Sequence, residues 1–509
     1  MKRILGIELG STRIKSVITD ENAVVLAQGG YEWENVLVDG LWSYSMDEVE
    51  KGLQASYAEL VKNYGQPIET VDAIGISAMM HGYLAFDEND VLLAPFRTWR
   101  NTNTAVAANE LSELFRFNVP MRWSISQYYQ SVIDGLDHVK QVKHLTTLSG
   151  YVHYRLTGKR VLGIDDASGM FPIDGKDYDG NMIAKLNTRL SEKGINVNVK
   201  DLLPTVMVAG ENAGTLTEEG ASWLDPTGTL KAGIMLCPPE GDMGTGMIAT
   251  NCVTPGSGNV SSGTSANLSV ILSKPLENYY KEIDVLATPD GYPAALIHAN
   301  NCTTEINEWV SLFSEVTSLV GLSVPKGELF EKLFKHSMNS TDDAGIVSYN
   351  FLAGEPMAGT EIGAPAVLRS HKGNMNLANF MQSQIYSAIA TLALGMDILK
   401  REGVEITRVL AHGGFYKTDF VGQNATSAVL ETPVTVMQNA GEGGAWGMAI
   451  LALYATDNSE SLGKFLEKLF ADVEKTVVMA DGAEIAKCRA FMKSYRACLG
   501  AEKLVSENI

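Results

Sequence analysis

Two short tips in this chain carry the residue types that hold phosphate. They are Glu8-Leu9-Gly10-Ser11-Thr12 and Ser262-Gly263-Thr264-Ser265. A phosphate group needs several backbone N–H donors converging on it, and only small residues let it come close. Gly10, Ser11, Thr12, Gly263, Thr264 and Ser265 supply small side chains and hydroxyls. An ordinary hairpin turn uses the same residues, so each tip alone says little, and their recurrence half a chain apart says more. Asp242 stands in the string Pro238-Pro239-Glu240-Gly241-Asp242-Met243-Gly244-Thr245-Gly246. A carboxylate displayed in such a frame is either a general base for a hydroxyl proton or a surface-turn aspartate. Glu8 ends an apolar strand at the first tip. It is either a strand-end carboxylate or a ligand to a metal held with the phosphate. Met80-His81-Gly82 leaves a buried strand and suits core packing and contact with a polar ligand equally. Gly413-Gly414 closes another strand, as a tight turn or as a flat bed for a ligand such as adenosine.

The elements that position these residues follow from periodicity. Arg3–Glu8, Lys15–Asp20 and Val24–Gln28 read as a β-meander around the first tip. Ser45 and Glu48 form a capping-box pattern before a helix with Val49, Leu53, Tyr57, Leu60 and Val61 on one face. Val71–Ser77 reads as a buried strand, and Tyr83–Phe86 as another. The second half repeats the grammar: Asn259–Gly263 and Asn267–Leu272 form a hairpin with a small polar tip. Ile385, Ile389, Leu392, Met396 and Leu399 mark a core-facing helix. Strand Arg408–Ala411, helix Asp419–Leu430, strand Val434–Met437 and helix Gly443–Tyr454 complete an α/β series. Pro238–Ser257, with Pro238, Pro239 and Pro255, is rich in glycine, a poor helix or strand, and the candidate hinge between two halves.

Composition bounds the function. The chain has 509 residues and a net charge of −20, with 45% hydrophobic and 20% charged residues. That balance is globular and excludes a disordered chain. Such acidity argues against nucleic-acid and anionic-membrane partners, which need a basic face. Five cysteines, none at CxxC spacing, read as reduced core thiols. The apolar run after Met1-Lys2-Arg3 is broken by Glu8, so no signal peptide is expected, and the expected location is cytoplasmic. There is no GxxxxGK[ST]. Gly256-x-Gly258 and Gly441-x-Gly443 lack the third glycine of a dinucleotide fingerprint. The eight histidines form no HExxH, and Gly263-Thr264-Ser265-Ala266-Asn267 is not a nucleophile elbow.

Taken in order, the motifs resemble the FGGY family of carbohydrate kinases, from Ile4 to about Ala455. Glu8-Leu9-Gly10-Ser11-Thr12-Arg13-Ile14-Lys15 resembles the family's first phosphate motif, DxGTxxxR/K. Met80-His81-Gly82 resembles its sugar-contacting segment, and Trp99-Arg100-Asn101-Thr102 its Trp-x-Asp string. Asp165-Asp166-Ala167-Ser168-Gly169 is similar to its Asp-Ala-Ser/Thr-Gly loop, and Gly241-Asp242 to its catalytic string. Ser262-Gly263-Thr264-Ser265 is similar to the second phosphate motif. Gly413-Gly414 with Gln423, and Glu442-Gly443-Gly444-Ala445, resemble the adenosine motifs. Two departures stand out: the family's metal-associated Asp is Glu8, and Asn101 replaces the Asp after Trp99.

The resemblance implies an α/β fold of two ribonuclease-H-like (actin-like ATPase) domains, 1–245 and 246–509, with an interdomain active-site cleft. It implies transfer of the ATP γ-phosphoryl, with Mg²⁺, to a sugar hydroxyl, with Asp242 as base. Glu8 and Asp242 would serve the metal. Gly10, Ser11, Thr12, Lys15, Gly263, Thr264 and Ser265 would serve the phosphates. Gly413, Gly414, Gln423, Gly443 and Gly444 would serve the adenosine, and Met80, His81, Trp99 and Asp166 the sugar. The Met-His-Gly segment favours a ketopentose such as D-xylulose, with L-ribulose or another polyol as alternatives. An actin/Hsp70-type ATPase and a sugar-responsive binding protein are the readings from other classes. A homodimer is common in the family, and no interface signature is visible.

Overall fold

The computed structural model of the chain describes residues 2–341, 345–438 and 443–508. Glu442 and Gly441, quoted above in motifs, lie outside them. The chain forms two compact units. One comprises Met1–Thr254, Tyr279–Ala294 and Glu442–Asp472; the other comprises Pro255–Asn278, Ala295–Gly441 and Val473–Ile509.

In the first unit, strand Ile4–Leu9 pairs antiparallel with Arg13–Thr19 and parallel with Ala73–Ala78. Ala73–Ala78 also pairs parallel with Met235–Leu236 and with Glu240–Gly241. Glu8 and Glu240 are both in register with Ser77. The chain therefore leaves the same end of three parallel strands at Gly10, at Met79 and at Asp242. Ligands bind at such carboxyl ends in open α/β sheets. The face of this sheet is built for one helix, Gly444–Ala455. Gly6 and Gly75 are register partners. A Cβ at Gly6 would lie 2.1 Å from the Ala445 carbonyl, and one at Gly75 would lie 2.8 Å from that of Met448. Two adjacent glycines thus let the helix backbone lie on the strands, and Trp446 Nε1 anchors it by donating to the Ala23 carbonyl at 2.7 Å. The other face packs helix Met46–Tyr64, whose Val49, Leu53, Tyr57 and Leu60 are buried as the periodicity predicts. Its cap is half a capping box. Glu48 N–H donates to Ser45 Oγ at 3.0 Å, while the Glu48 carboxylate takes the Tyr31 hydroxyl instead of returning to Ser45.

The second unit repeats the pattern. Ser257–Ser262 pairs antiparallel with Ala266–Ile271 and parallel with Arg408–His412, which runs parallel to Val434–Met437. Hairpin, tip and parallel neighbour recur in the same order, so the duplication read from the two tips is present in the topology. Helix Leu377–Arg401 buries Ile385, Ile389, Leu392, Met396 and Leu399. Among the described residues no helix is long and apolar enough to cross a membrane.

One expectation fails. The Pro238–Ser257 stretch is not a loop throughout, because Asp242–Ala249 is a helix. The prolines flank it, and Gly244, a poor helix residue by propensity, is there for space: a Cβ would meet the Asp165 carboxylate at 2.5 Å. Asp242 is the first residue of that helix and not a loop carboxylate.

Candidate active site

The first tip is braced from behind. Gly10 N–H closes the turn on the Arg13 carbonyl at 3.0 Å, and Trp33 N–H donates to the Thr12 carbonyl at 3.2 Å. Trp33 Nε1 donates to the Gly10 carbonyl at 2.7 Å, and the Tyr44 hydroxyl to the Ser11 carbonyl at 2.5 Å. The two rings stack at 4.2 Å. With its carbonyls tied back, the tip offers the Ser11 and Thr12 side to a ligand. Exposed Trp99 completes it, donating from Nε1 to Ser11 Oγ at 3.1 Å. The sugar-side and phosphate-side predictions meet at that bond.

Glu8 and Asp242 are the acids at this strand edge. Ala445 N–H, at the N-terminus of helix Gly444–Ala455, donates to Glu8 Oε2 at 3.2 Å. A helix N-terminus favours that negative charge. Glutamate's extra methylene gives the reach to the helix, and Gly444 makes room, since its Cβ would lie 2.3 Å from Glu8 Oε1. Lys15 is the cross-strand partner of Glu8 and pulls its acidity the other way. Burial, and then the charge of Asp242, hold the Glu8 carboxyl above its ordinary range. Asp242 accepts the Met80 N–H at 3.1 Å on Oδ1. The residue is solvent-exposed, and the protein around its carboxyl holds that group above the ordinary range.

The remaining predicted residues divide. His81 is buried and has a left-handed φ of 68°. Its Nδ1 lies 3.1 Å from the Gly169 carbonyl, and Arg122 Nε donates to its Nε2 at 3.0 Å. The arginine can only donate, so the ring is the neutral Nδ1–H tautomer. Burial and then Arg122 push its pKa down to about 3. Both ring nitrogens are committed, so His81 shapes the loop and leaves donation at this edge to Arg122, which also pairs with Asp284. Asp166 is fully buried and accepts the Thr147 hydroxyl at 2.6 Å and that of Ser149. Burial pushes its pKa up to about 7 against those hydroxyls. It braces the loop from within. Asn101 does the same for the Trp99 segment. Its Oδ1 accepts Trp42 N–H at 2.8 Å and its Nδ2 donates to the Trp42 carbonyl at 2.9 Å. Clasping both sides of one residue's backbone takes an amide; an aspartate could accept but not donate.

In the second unit, the tip's carbonyls are likewise tied back. Gly263 takes the Thr303 N–H and hydroxyl at 3.1 and 2.7 Å, and Thr264 takes the Cys302 N–H at 2.8 Å. Gly263 N–H closes the turn on Ser265 at 2.8 Å. Gly413 adjoins this tip: at φ 109° its Cβ would stand 2.2 Å from the Ser262 carbonyl, so only glycine fits. Gly414 is exposed beside it. Gln423 is buried and donates to the Val434 and Thr476 carbonyls, which ties its helix to the sheet. Gly443 and Gly444 are in the first unit, where Gly444 opens the helix that meets Glu8.

Sequence reasoning missed Arg122, Asp165, Glu240, Trp33 and Tyr44. Asp165 and Glu240 had a signal, their places beside Asp166 and beside Gly241-Asp242 in the quoted strings.

Residues 3–229 match the N-terminal domain of the FGGY family of carbohydrate kinases, and residues 258–456 match its C-terminal domain. The chain belongs to that family. It is a carbohydrate kinase, a phosphotransferase with an alcohol acceptor. This FGGY kinase is 22% identical to the xylulose kinase of Haemophilus influenzae over 489 residues, 92% of this chain and 94% of that one. It is 22% identical to the gluconokinase of Bacillus subtilis over 478 residues, 90% and 88% of the two chains. Two solved structures from Lactobacillus acidophilus share the fold. The ligand-bound xylulose kinase has a TM-score of 0.80 at 16% identity, covering 100% of this chain and 99% of its own. The gluconate kinase has a TM-score of 0.81 at 16% identity, covering 99% and 100%. The actin-like two-domain expectation agrees with these structures.

Among the described residues no three His, Cys, Asp or Glu side chains cluster to cage a metal. Magnesium bound with a nucleotide needs only one or two carboxylates beside the phosphates and water. Glu8 and Asp242 fit that donor set: they are hard oxygen ligands, and the Asp242 charge raises the pKa of Glu8, a repulsion a cation relieves.

Proposed function

We propose that this kinase transfers the γ-phosphoryl of ATP to a hydroxyl of a ketopentose of the D-xylulose type, with Asp242 as general base. The observation that carries it is the Asp242 carboxylate, accessible at the strand edge and fixed by the Met80 N–H. An acid held above its ordinary range is better matched to take a hydroxyl proton near neutral pH. Phosphoryl transfer needs mostly positioning and charge stabilisation. Asp242 orients the attacking oxygen and receives its proton on the carboxylate. The Ser11/Thr12 and Thr264/Ser265 tips, each braced from behind, hold phosphate oxygens without having to reorganise. Trp99 covers the first tip, and Lys15 balances Glu8. Glu8 and Asp242 would hold magnesium, which when bound offsets the charge of the phosphates. Gly413 and Gly414 lie flat beside the second tip, as an adenosine bed requires. ATP as donor and five unbridged cysteines suit a cytoplasmic setting.

Relatives named xylulose kinase and gluconokinase leave two substrate chemistries. Arg122 favours the acid sugar, because its cation is near enough to Asp242 to lower the latter's pKa. Its ion pair with Asp284 offsets that charge, so the neutral ketopentose is the leading reading. A coupled kinase assay over D-xylulose, L-ribulose, hexuloses, polyols and gluconate tests it. D-Xylulose should give the highest kcat/KM. A preference for gluconate that Arg122→Gln abolishes would move the assignment to the acid sugar.

Glu8→Gln removes one metal-side charge. The Mg²⁺ needed for half-maximal rate should rise about tenfold, and an unchanged Mg²⁺ titration would take Glu8 out of the metal role.

A further inference from the structure

We infer that Asp165 is a positioning residue for Asp242: through two peptide N–H bonds it sets where the base stands. The inference rests on the base role proposed above. Asp165 is fully buried, and a single oxygen, Oδ2, accepts Gly241 N–H at 3.1 Å and Gly244 N–H at 3.0 Å. These donors bracket Asp242 along the chain. The carboxylate therefore grips the helix start on both sides of the base without touching the base itself. The glycines are what let it in. A Cβ at Gly244 would lie 2.5 Å from that oxygen, and one at Gly241 would lie 2.9 Å from it.

The grip is reciprocal. Asp165 lies in the helical turn Ile164–Ser168. The N–H groups of Asp165 and Asp166 donate to Glu240 Oε2 at 3.2 and 3.5 Å. Glu240 is buried and immediately precedes Gly241. Gly163 admits it, since a Cβ there would fall 2.1 Å from the Glu240 carboxyl carbon. Each segment thus offers a carboxylate to the backbone of the other. The Asp242 carboxylate itself accepts the Met80 N–H from outside its own helix. Its placement then depends on the backbone that Asp165 holds. A shift on the order of 1 Å in a reacting group is enough to cost a large part of the rate.

A role confined to fold maintenance would lower stability and leave the turnover of folded enzyme unchanged. The test separates the two by kcat and KM, with folding checked by circular dichroism. Asp165→Ala removes the acceptor, and Gly244→Ala displaces it while leaving every acid in place. Both should lower kcat about tenfold or more, with KM for ATP little changed. Asp165→Asn keeps an acceptor oxygen and should restore kcat to within about threefold of wild type. Wild-type kcat in Gly244→Ala, or Asp165→Asn as slow as Asp165→Ala, would overturn the inference. If Asp165→Ala does not fold, the Gly244→Ala and Asp165→Asn arms decide it. Asp242→Asn, run in parallel, keeps the two readings apart. Its collapse beside normal Gly244→Ala turnover sinks only the positioning role, whereas its survival sinks the base role itself.

Discussion

Asp242→Asn is expected to lower kcat roughly a hundredfold or more, the scale of a lost general base. That corresponds to about 2.7 kcal/mol of transition-state stabilisation. The substitution keeps the shape and the acceptor that the Met80 N–H uses at 3.1 Å. It removes the proton-accepting charge. The fold and the sugar KM should therefore change little, and the loss should appear in kcat. Steady-state kinetics at saturating Mg-ATP would measure it. A variant within about threefold of wild type would take the base role from Asp242.

Gly6→Ala carries the second large effect, and it acts on stability. The new methyl would stand 2.1 Å from the Ala445 carbonyl and 2.7 Å from the Ala449 nitrogen, both backbone atoms of one helix. Backbone cannot rotate aside as a side chain can. The helix must lift from the sheet, at a cost of about 3 kcal/mol, the upper range for overpacking a core. Lifting it also withdraws the Ala445 N–H from Glu8. The variant should show a lower unfolding midpoint in denaturant and, in its folded fraction, a raised Mg²⁺ requirement. An unchanged midpoint would mean that the helix does not rest on Gly6.

What the sequence disclosed depended on whether the signal was local. The tips, the strand–Gly-Gly turn at Gly413 and the helix cap at Ser45 are short patterns whose chemistry is complete within a few residues. Contacts far apart in the chain left no trace. Nothing near Ala445 announces a partner 437 residues away at Glu8. Pro238–Ser257 reads as a loop because propensity counts glycine against a helix, whereas Gly244 answers a steric demand from Asp165. His81 was open between core and ligand. Its two partners, Gly169 and Arg122, make it a shaping residue, and neither was visible from its own neighbourhood. Asn101 reads only as a departure from the family's aspartate, and the fit of its amide to the backbone of Trp42 lies in a partner 59 residues away.

Base-assisted transfer to the sugar is tested by counting sugar phosphate formed per ADP released by the wild-type protein with Mg-ATP and D-xylulose. About one sugar phosphate is expected for each ADP, because the phosphoryl group passes to a hydroxyl held at Asp242 and not to water. Sugar-independent ADP release with no phosphorylated pentulose would contradict it.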